Sequence, residues 1–196
     1  MYPNLAALIL FSCAAAFTPG PNNILGSYSG FNFGIRKSIP LILGVAFGYP
    51  FLLIVLAAGL IIVFKTYPVL QIILKVCGSG FLIYLAYKIS FQNKVQQQTV
   101  TNPVKFFHTF IFQFINPKGV IIAIITISTF VETGSNYLFH SIVVVAVSFC
   151  CAITSITSWC MLGKFLRRFA TNEKFIQIFN YVMSFLLIVC VIMFYL

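Results

Sequence analysis

Two short breaks in otherwise apolar stretches contain the residues that could do chemistry. The first reads Thr-Pro-Gly-Pro-Asn-Asn at 18–23, and the second reads Asn-Pro-Lys-Gly at 116–119, half a chain length later. Each begins with a residue type that caps helices, Thr18 or Asn116, followed directly by a proline, which suits the first helical position. We therefore predict that a helix begins at each break, with free N–H groups and a positive dipole end there.

These helix ends predict a binding site for a zwitterion. Two positive ends that meet from opposite sides favour a carboxylate between them. The carbonyl groups that end the preceding helical segments favour an ammonium group. The candidate substrate-binding residues are Thr18, Pro19, Gly20, Pro21, Asn22, Asn23, Gln113, Asn116, Pro117 and Lys118.

Lys118 and the three amide side chains each have two readings. Lys118 could bind the substrate carboxylate or be neutralised by a nearby acid; it lies roughly 20 Å of helix from Lys105, too far to reach the interface comfortably. The amides of Asn22, Asn23 and Gln113 could bind substrate or only satisfy the backbone groups that the breaks free. Proline and glycine could also merely kink a membrane helix, but two matched breaks favour a substrate site.

The composition places the chain in a membrane. Of 196 residues, 61% are hydrophobic and 7% charged, whereas a soluble domain has about a quarter charged residues. The net charge of +10 does not indicate nucleic acid, because the basic residues are scattered rather than gathered on one face. The six cysteines indicate neither a disulfide framework nor a zinc site, and no cofactor is expected.

Six stretches are long enough to cross a bilayer: about 3–34, 39–64, 67–87, 105–131, 137–162 and 175–195. The first and fourth are too long for straight spans of roughly 30 Å, and each contains a break. We predict an all-α integral membrane protein with six transmembrane helices in a 3+3 inverted repeat, spans 1 and 4 being broken near the midplane. Residues 1–196 form one transmembrane domain, with halves of about 1–91 and 104–196 and a polar cytoplasmic linker at 92–103.

The basic residues also predict an orientation. Nine lie on one side of the predicted spans and one, Lys65, on the other, so the basic loops are cytoplasmic and both termini lie outside. The predicted location is the cytoplasmic (inner) membrane, as a multi-pass protein. No basic residue precedes Arg36, so we expect the first stretch to stay in the mature protein.

Other residues give weaker signals. The pair Gly44 and Gly48, like Gly78 and Gly80, favours close helix packing. Lys75 is as well explained by reaching the interface as by function. The two glutamates, Glu132 and Glu173, and the two histidines, His108 and His140, fall near the ends of spans or in a loop, so the sequence identifies no proton-coupling residue.

The chain resembles the LysE/RhtB family of amino-acid exporters. The matching elements are Thr-Pro-Gly-Pro-Asn-Asn at 18–23, Phe-Ile-Asn-Pro-Lys at 114–118, and Gly44, Gly48, Lys75, Gly78, Tyr84, Leu85, Ala86 and Lys88. Thr18 to Leu25 and Ser128 to Val131 are most similar to the branch that exports cysteine and O-acetylserine. The resemblance implies efflux from the cytoplasm driven by the proton gradient.

We therefore expect a secondary transporter that exports small amino acids or their derivatives, such as cysteine and O-acetylserine. Its expected partners are the amino acid, protons and the lipid bilayer, without nucleic acid, and the sequence leaves a homo-oligomer open. Rival readings are a membrane assembly or scaffold subunit, and an exporter of homoserine/threonine or lysine/arginine. An enzyme is not expected, because the chain has no Asp and its two histidines are far apart.

Overall fold

The computed structural model describes residues 5–60, 62, 66–67, 69–91, 103–132, 134–170 and 173–195. Within them the chain forms seven α-helices and no strand, which confirms the predicted all-α class. The helices are α1 (Leu5–Phe17), α2 (Pro21–Val55), α3 (Val69–Phe91), α4 (Phe106–Ile115), α5 (Pro117–Phe130), α6 (Tyr137–Arg167) and α7 (Glu173–Met193). A π-helical turn, Leu56–Leu60, follows α2.

Three stretches of these helices are long and apolar enough to cross a bilayer: Pro21–Gly59, Tyr137–Arg167 and Glu173–Met193. Helices α4 and α5 together make a fourth, bent by 64° at the break between them. Large apolar side chains face outward, for example Leu10 and Leu138, each 71% exposed, as lipid contact requires. The chain is therefore an all-helical membrane protein with three or four candidate spans in its described part.

Helix α2 reverses direction at Gly34. This residue has a positive φ of 74°, which glycine adopts without strain. The hydroxyl oxygens of Ser29 and Ser38 lie 2.7 Å apart, although nine residues of straight helix would separate them by roughly 13 Å. The predicted first and second spans thus meet at one glycine. The predicted gap at 35–38 is wrong, because the helix resumes at once.

Two other predicted boundaries change. Helix α6 continues beyond the predicted end at 162 to Arg167, because Lys164 and Arg167 in its last turn stabilise the negative end of the helix dipole. The predicted linker at 92–103 lies outside the described residues except for Pro103, which precedes α4.

Glycines let the helices around the breaks pack with their backbones in contact. A Cβ atom on Gly30 would lie 1.9 Å from the carbonyl oxygen of Cys160, and one on Gly163 would lie 1.9 Å from that of Ser27. These contacts hold the first part of α2 against α6. On the second part of α2, a Cβ on Gly44 would lie 2.0 Å from Oγ1 of Thr109 in α4.

The predicted packing role of the other glycines is confirmed at two of three positions. A Cβ on Gly48 would lie 2.8 Å from Cγ of Gln113, and one on Gly78 would lie 2.2 Å from the carbonyl oxygen of Ile115. Gly78 therefore seats α3 directly against the second break. The prediction is wrong for Gly80, where a Cβ would meet no atom of the described neighbouring residues within 4 Å.

Two apolar cores flank this arrangement. One joins Leu41, Leu82, Phe112, Ile156 and Leu187, a residue each from α2, α3, α4, α6 and α7, all between 0% and 1% exposed. The other includes Leu8 of α1, Leu53 of α2, Val120 of α5 and Val144 of α6. Each break is thus held between helices that are themselves fixed by buried apolar contacts.

Candidate functional site

The two breaks border one cavity. It encloses about 670 Å³ of space between protein atoms, with its open mouth included. Helices α1, α2, α5 and α6 supply its walls. The lining residues are Ser12, Ala15, Ala16, Gly20, Pro21, Asn22, Asn23, Val45, Tyr49, Asn116, Lys118, Gly119, Ile122, Thr126, Ser148, Cys151, Ala152, Ser155 and Ile156.

The first break begins after Phe17 and ends at Gly20. Gly20 is the N-cap of α2, with extended backbone, and Pro21 is the first helical residue. The prediction that Thr18 caps the new helix is therefore wrong. The Thr18 hydroxyl instead donates to the carbonyl oxygen of Ala14, in the last turn of α1, because a threonine near a helix end readily bonds back to the preceding turn.

The second break is a single residue, Asn116, which is the C-cap of α4 and the N-cap of α5. Pro117 is the first residue of α5, as predicted. The Asn116 side chain makes no capping hydrogen bond. It is 2% exposed, its Oδ1 atom has no hydrogen-bond partner among the described residues, and it lines the cavity. A buried acceptor of this kind is costly unless a ligand or water satisfies it.

Lys118 joins the two breaks. Its amine donates hydrogen bonds to the carbonyl oxygens of Thr18, at 2.9 Å, and Pro19, at 3.2 Å. Gly20 makes room for the side chain, because a Cβ there would lie 2.9 Å from Nζ and 3.0 Å from Cδ. One of the two predicted roles is neutralisation by a nearby acid. The described contacts of the amine are instead with backbone carbonyl oxygens.

A pair of amides forms a second link between the breaks. Asn22 donates from Nδ2 to Oε1 of Gln113 at 2.8 Å, and Gln113 donates from Nε2 to Oδ1 of Asn22 at 3.2 Å. Gln113 also donates to the carbonyl oxygen of Thr109 at 2.7 Å and is 0% exposed. Gln113 is therefore behind the cavity wall, with its polar atoms already bonded.

Asn23 satisfies backbone groups that the first break frees. Its Nδ2 donates to the carbonyl oxygens of Ala16, at 2.7 Å, and Thr18, at 2.9 Å. Ser155 of α6 donates to the same Ala16 oxygen, also at 2.7 Å. Side chains thus bond the carbonyl groups of Ala16 and Thr18, which the end of α1 would otherwise leave without a partner in the helix.

The structure brings most of the predicted site residues to the cavity wall. The six that line it are Gly20, Pro21, Asn22, Asn23, Asn116 and Lys118. Thr18 and Pro19 reach the site through their carbonyl oxygens. Gln113 and Pro117 are buried beside it and do not line it.

The sequence analysis missed several polar residues of the wall. Ser148, Cys151 and Ser155 lie on one face of α6, and their spacing of three and four residues in an apolar helix is a usable signal. Ser12 of α1 is buried, and its Oγ has no hydrogen-bond partner in the described part of the chain. Tyr49 is brought to the wall from the second part of α2, and no sequence pattern marks it.

The other titratable candidates lie away from the cavity wall. The amine of Lys75 is 4.4 Å from the ring centroid of Tyr195, a cation–π contact. Nδ1 of His140 is 3.8 Å from Oε2 of Glu132, whose side chain is 65% exposed. Among the described residues, no group of three or more His, Cys, Asp or Glu could hold a metal ion.

The electrostatics of the cavity favour an anionic group beside a cationic one. The first backbone hydrogen bond within α2 runs from the N–H of Ile24 to the carbonyl oxygen of Gly20. The N–H groups of Asn22 and Asn23 come before it, so they have no acceptor within the helix. Those of Lys118 and Gly119 hold the same place in α5. Both helix ends therefore direct positive partial charge at the cavity, next to the carbonyl oxygens of the first break.

Comparison with known proteins agrees with these features. The family model "LysE type translocator" matches residues 13–196. The cysteine/O-acetylserine efflux proteins of Escherichia coli O1:K1 and of strain K12 are 28% and 27% identical to the chain over 96% of its length and 95% of theirs. A protein of the same name from Shigella flexneri serotype 5b is 27% identical over the same shares. No solved structure matches. The chain belongs to the LysE family of translocators and is a membrane transport protein, not an enzyme.

Proposed function

We propose that the protein exports small neutral amino acids or their derivatives, cysteine and O-acetylserine among them, across the cytoplasmic membrane in exchange for protons. The observation that supports this most is the cavity where the two breaks meet, lined by helix N-termini and by an amide oxygen without a partner among the described residues. The relatives named as cysteine/O-acetylserine efflux proteins support the substrate class.

The substrate's charged ends match the two kinds of backbone group at the breaks. Its carboxylate binds the N–H groups that begin α2 and α5, where the helix dipoles are positive. Its ammonium group binds the carbonyl oxygens of Thr18 and Pro19, which already accept hydrogen bonds from the amine of Lys118. The Oδ1 atom of Asn116 offers a further acceptor.

The rest of the wall suits a short, uncharged side chain. Ser12, Thr126 and Ser148 present hydroxyl groups among alanine and isoleucine side chains. Among the described lining residues there is no Asp or Glu, so the side chain of a lysine or arginine substrate would have no counter-charge. This favours neutral substrates over the basic ones that the sequence left open.

We further propose that the chain has six spans in a 3+3 inverted repeat, with both termini outside. Two observations support this proposal: α2 reverses at Gly34, where the proposed first and second spans would meet, and the proposed fourth span is bent by 64° at Asn116. The excess of basic residues in alternate loops supports cytoplasmic loops on one side. Cysteines introduced near each terminus and labelled with an impermeant maleimide in intact cells test this topology.

Transport by the purified protein in liposomes tests the substrate class. Labelled cysteine, kept reduced, and O-acetylserine should be taken up into vesicles that are acidic inside, and an uncoupler should abolish the accumulation. Homoserine and threonine test the neighbouring neutral class, and lysine and arginine test the basic one. Uptake no faster than in protein-free liposomes for every compound would contradict the proposal, and preferential uptake of lysine would overturn the neutral class.

A further inference from the structure

The amine of Lys118 occupies the place that the proposed function gives to the substrate's ammonium group. Both are alkylammonium ions, and the Lys118 amine lies within 3.2 Å of the Thr18 and Pro19 carbonyl oxygens. Two such cations cannot share these oxygens, since like charges about 4 Å apart in a protein of effective dielectric near 20 repel by about 4 kcal/mol. A cation of the protein itself therefore competes for these oxygens with the substrate's ammonium group.

The path of the Lys118 side chain depends on glycine at position 20. Any other residue there would put a Cβ 2.9 Å from Nζ and 3.0 Å from Cδ. Both distances are shorter than ordinary contacts, so the Lys118 side chain would have to shift from its present position. The backbone of the first break thus favours this contact in two ways. The carbonyl oxygens of Thr18 and Pro19 accept hydrogen bonds from the Lys118 amine, and Gly20 leaves room for its side chain.

Among the described residues that line the cavity, Lys118 is the one basic side chain. The other titratable groups facing it are Tyr49 from α2, Cys151 from α6 and Cys190 from α7, all of which are neutral when protonated. The chain has no Asp. Its two glutamates do not line the cavity: Glu132 follows α5, and Glu173 is the exposed first residue of α7.

We propose that Lys118 is the proton carrier of the transporter, and that its protonated amine competes with the substrate's ammonium group for the Thr18 and Pro19 oxygens. This rests on the proposed function. On the cytoplasmic side, the entering amino acid takes the two oxygens and Lys118 releases one proton to the cytoplasm. On the outer side, the substrate leaves, Lys118 takes up one proton, and its ammonium group refills the site.

The consequence is that the protein changes between a state open to the cytoplasm and a state open to the outside with either the substrate or the proton bound. Mutually exclusive binding is the condition for antiport, and it makes the two affinities reciprocal. Lower pH must weaken substrate binding, and higher pH must strengthen it, because each bound substrate displaces a proton. Inward proton flow then drives outward amino-acid flow.

Proton release on binding is the direct test. Purified wild-type protein in weakly buffered detergent should release about one proton for each O-acetylserine bound, and its affinity should tighten by up to about tenfold per pH unit between pH 6 and 8. Lys118→Met should release none and should bind at least as tightly as wild type, without dependence on pH. Lys105→Met, which changes an exposed amine at the start of α4, should behave as wild type.

Two results would overturn the assignment. Binding weakened by about tenfold or more at every pH in Lys118→Met would make the lysine a carboxylate ligand, since about 1.4 kcal/mol would then be lost. Proton release that persists in this variant would place the proton on Tyr49, Cys151 or Cys190. Gly20→Ala provides a second variant that keeps the amine but displaces it, and its affinity at pH 6 should rise toward its value at pH 8.

Transport separates this inference from the proposed function. Lys118→Met in liposomes should keep exchange of labelled for unlabelled substrate but lose accumulation driven by a pH gradient. If wild-type protein binds none of the amino acids at any pH, the proposed function fails. If wild-type protein transports them with no proton release and no pH dependence, proton exchange and the role of Lys118 are both overturned, although amino-acid export is not. If wild-type protein and Lys118→Met both accumulate them in response to a pH gradient, only the role of Lys118 is overturned.

Discussion

The first break extends over Thr18, Pro19 and Gly20, and the second is Asn116 alone. At the first, the backbone is what matters: its carbonyl oxygens accept hydrogen bonds from Lys118 and Asn23. At the second, side chains matter, because Asn116 has an acceptor without a partner among the described residues and Lys118 extends across the cavity. Both breaks are followed by a helix that begins with proline, yet they supply complementary groups. The first break supplies carbonyl oxygens, and the second supplies the amine of Lys118 that binds them.

The largest effect is expected where the two breaks are joined by amides. Gln113→Leu removes both hydrogen bonds to Asn22 and leaves the Thr109 carbonyl oxygen without this donor. Leaving buried polar groups unpaired should lower the free energy of unfolding by about 2–3 kcal/mol. Unfolding in mixed detergent micelles measures it.

Gln177→Leu is the matched control, since Gln177 is only partly exposed on α7 and far along the chain from either break. It should change the unfolding free energy by less than about 0.5 kcal/mol. The double variant Asn22→Ala with Gln113→Leu should lose little more than Gln113→Leu alone, because both remove the same pair. Equal losses in Gln113→Leu and its control would show that the amide pair does not join the breaks.

Effects of intermediate size are expected at Asn23 and Asn116, and they should differ in kind between the two residues. Asn23→Ala removes two bonds to freed carbonyl groups and should cost about 1–2 kcal/mol of stability. Asn116→Ala removes an Oδ1 atom that has no partner in the described part of the protein, so it should cost less stability and weaken O-acetylserine binding by about tenfold. Thermal unfolding and binding, measured on both variants, check this; a larger loss of stability in Asn116→Ala would reverse the comparison.

The smallest effect is expected at the prolines that begin the two helices. Pro21→Ala and Pro117→Ala should each lower the free energy of unfolding by only about 0.4–1 kcal/mol, mainly because alanine raises the conformational entropy of the unfolded chain. Both residues hold the same helical position, so the two losses should be alike. Thermal unfolding of the two variants side by side tests the likeness, and a difference larger than this range would show that the breaks are not equivalent in their local structure.

The sequence predicted both breaks, and it predicted the second to the residue. It misplaced the start of α2 by two positions, because Thr18-Pro19 and Gly20-Pro21 are both acceptable cap-and-proline pairs locally. What selects Gly20 is tertiary: the Lys118 side chain fills the space that any Cβ at this position would need. A lysine about half the chain away cannot be read from the first break itself.

The roles of the amides depend on the same kind of long-range information. Gln113 is a candidate substrate-binding residue by sequence, yet it is turned to Asn22 and Thr109, because the face of α4 is fixed by the close contact of Gly44 and Gly48. The missed residues of α6 differ, since Ser148, Cys151 and Ser155 repeat at helical spacing. Those could have been predicted from the sequence.

The glycine contacts between α2 and α6 also limit how a transport cycle can proceed. Where the backbone at Gly30 meets that at Cys160, and Gly163 meets Ser27, the two helices touch without intervening side chains that could slide or change rotamer. A point of this kind acts as a fulcrum, about which the halves of the proposed repeat can tilt but not translate. Displacement in such a tilt grows with distance from the contact, so we expect the helix ends farthest from Gly30 and Gly163 to move most.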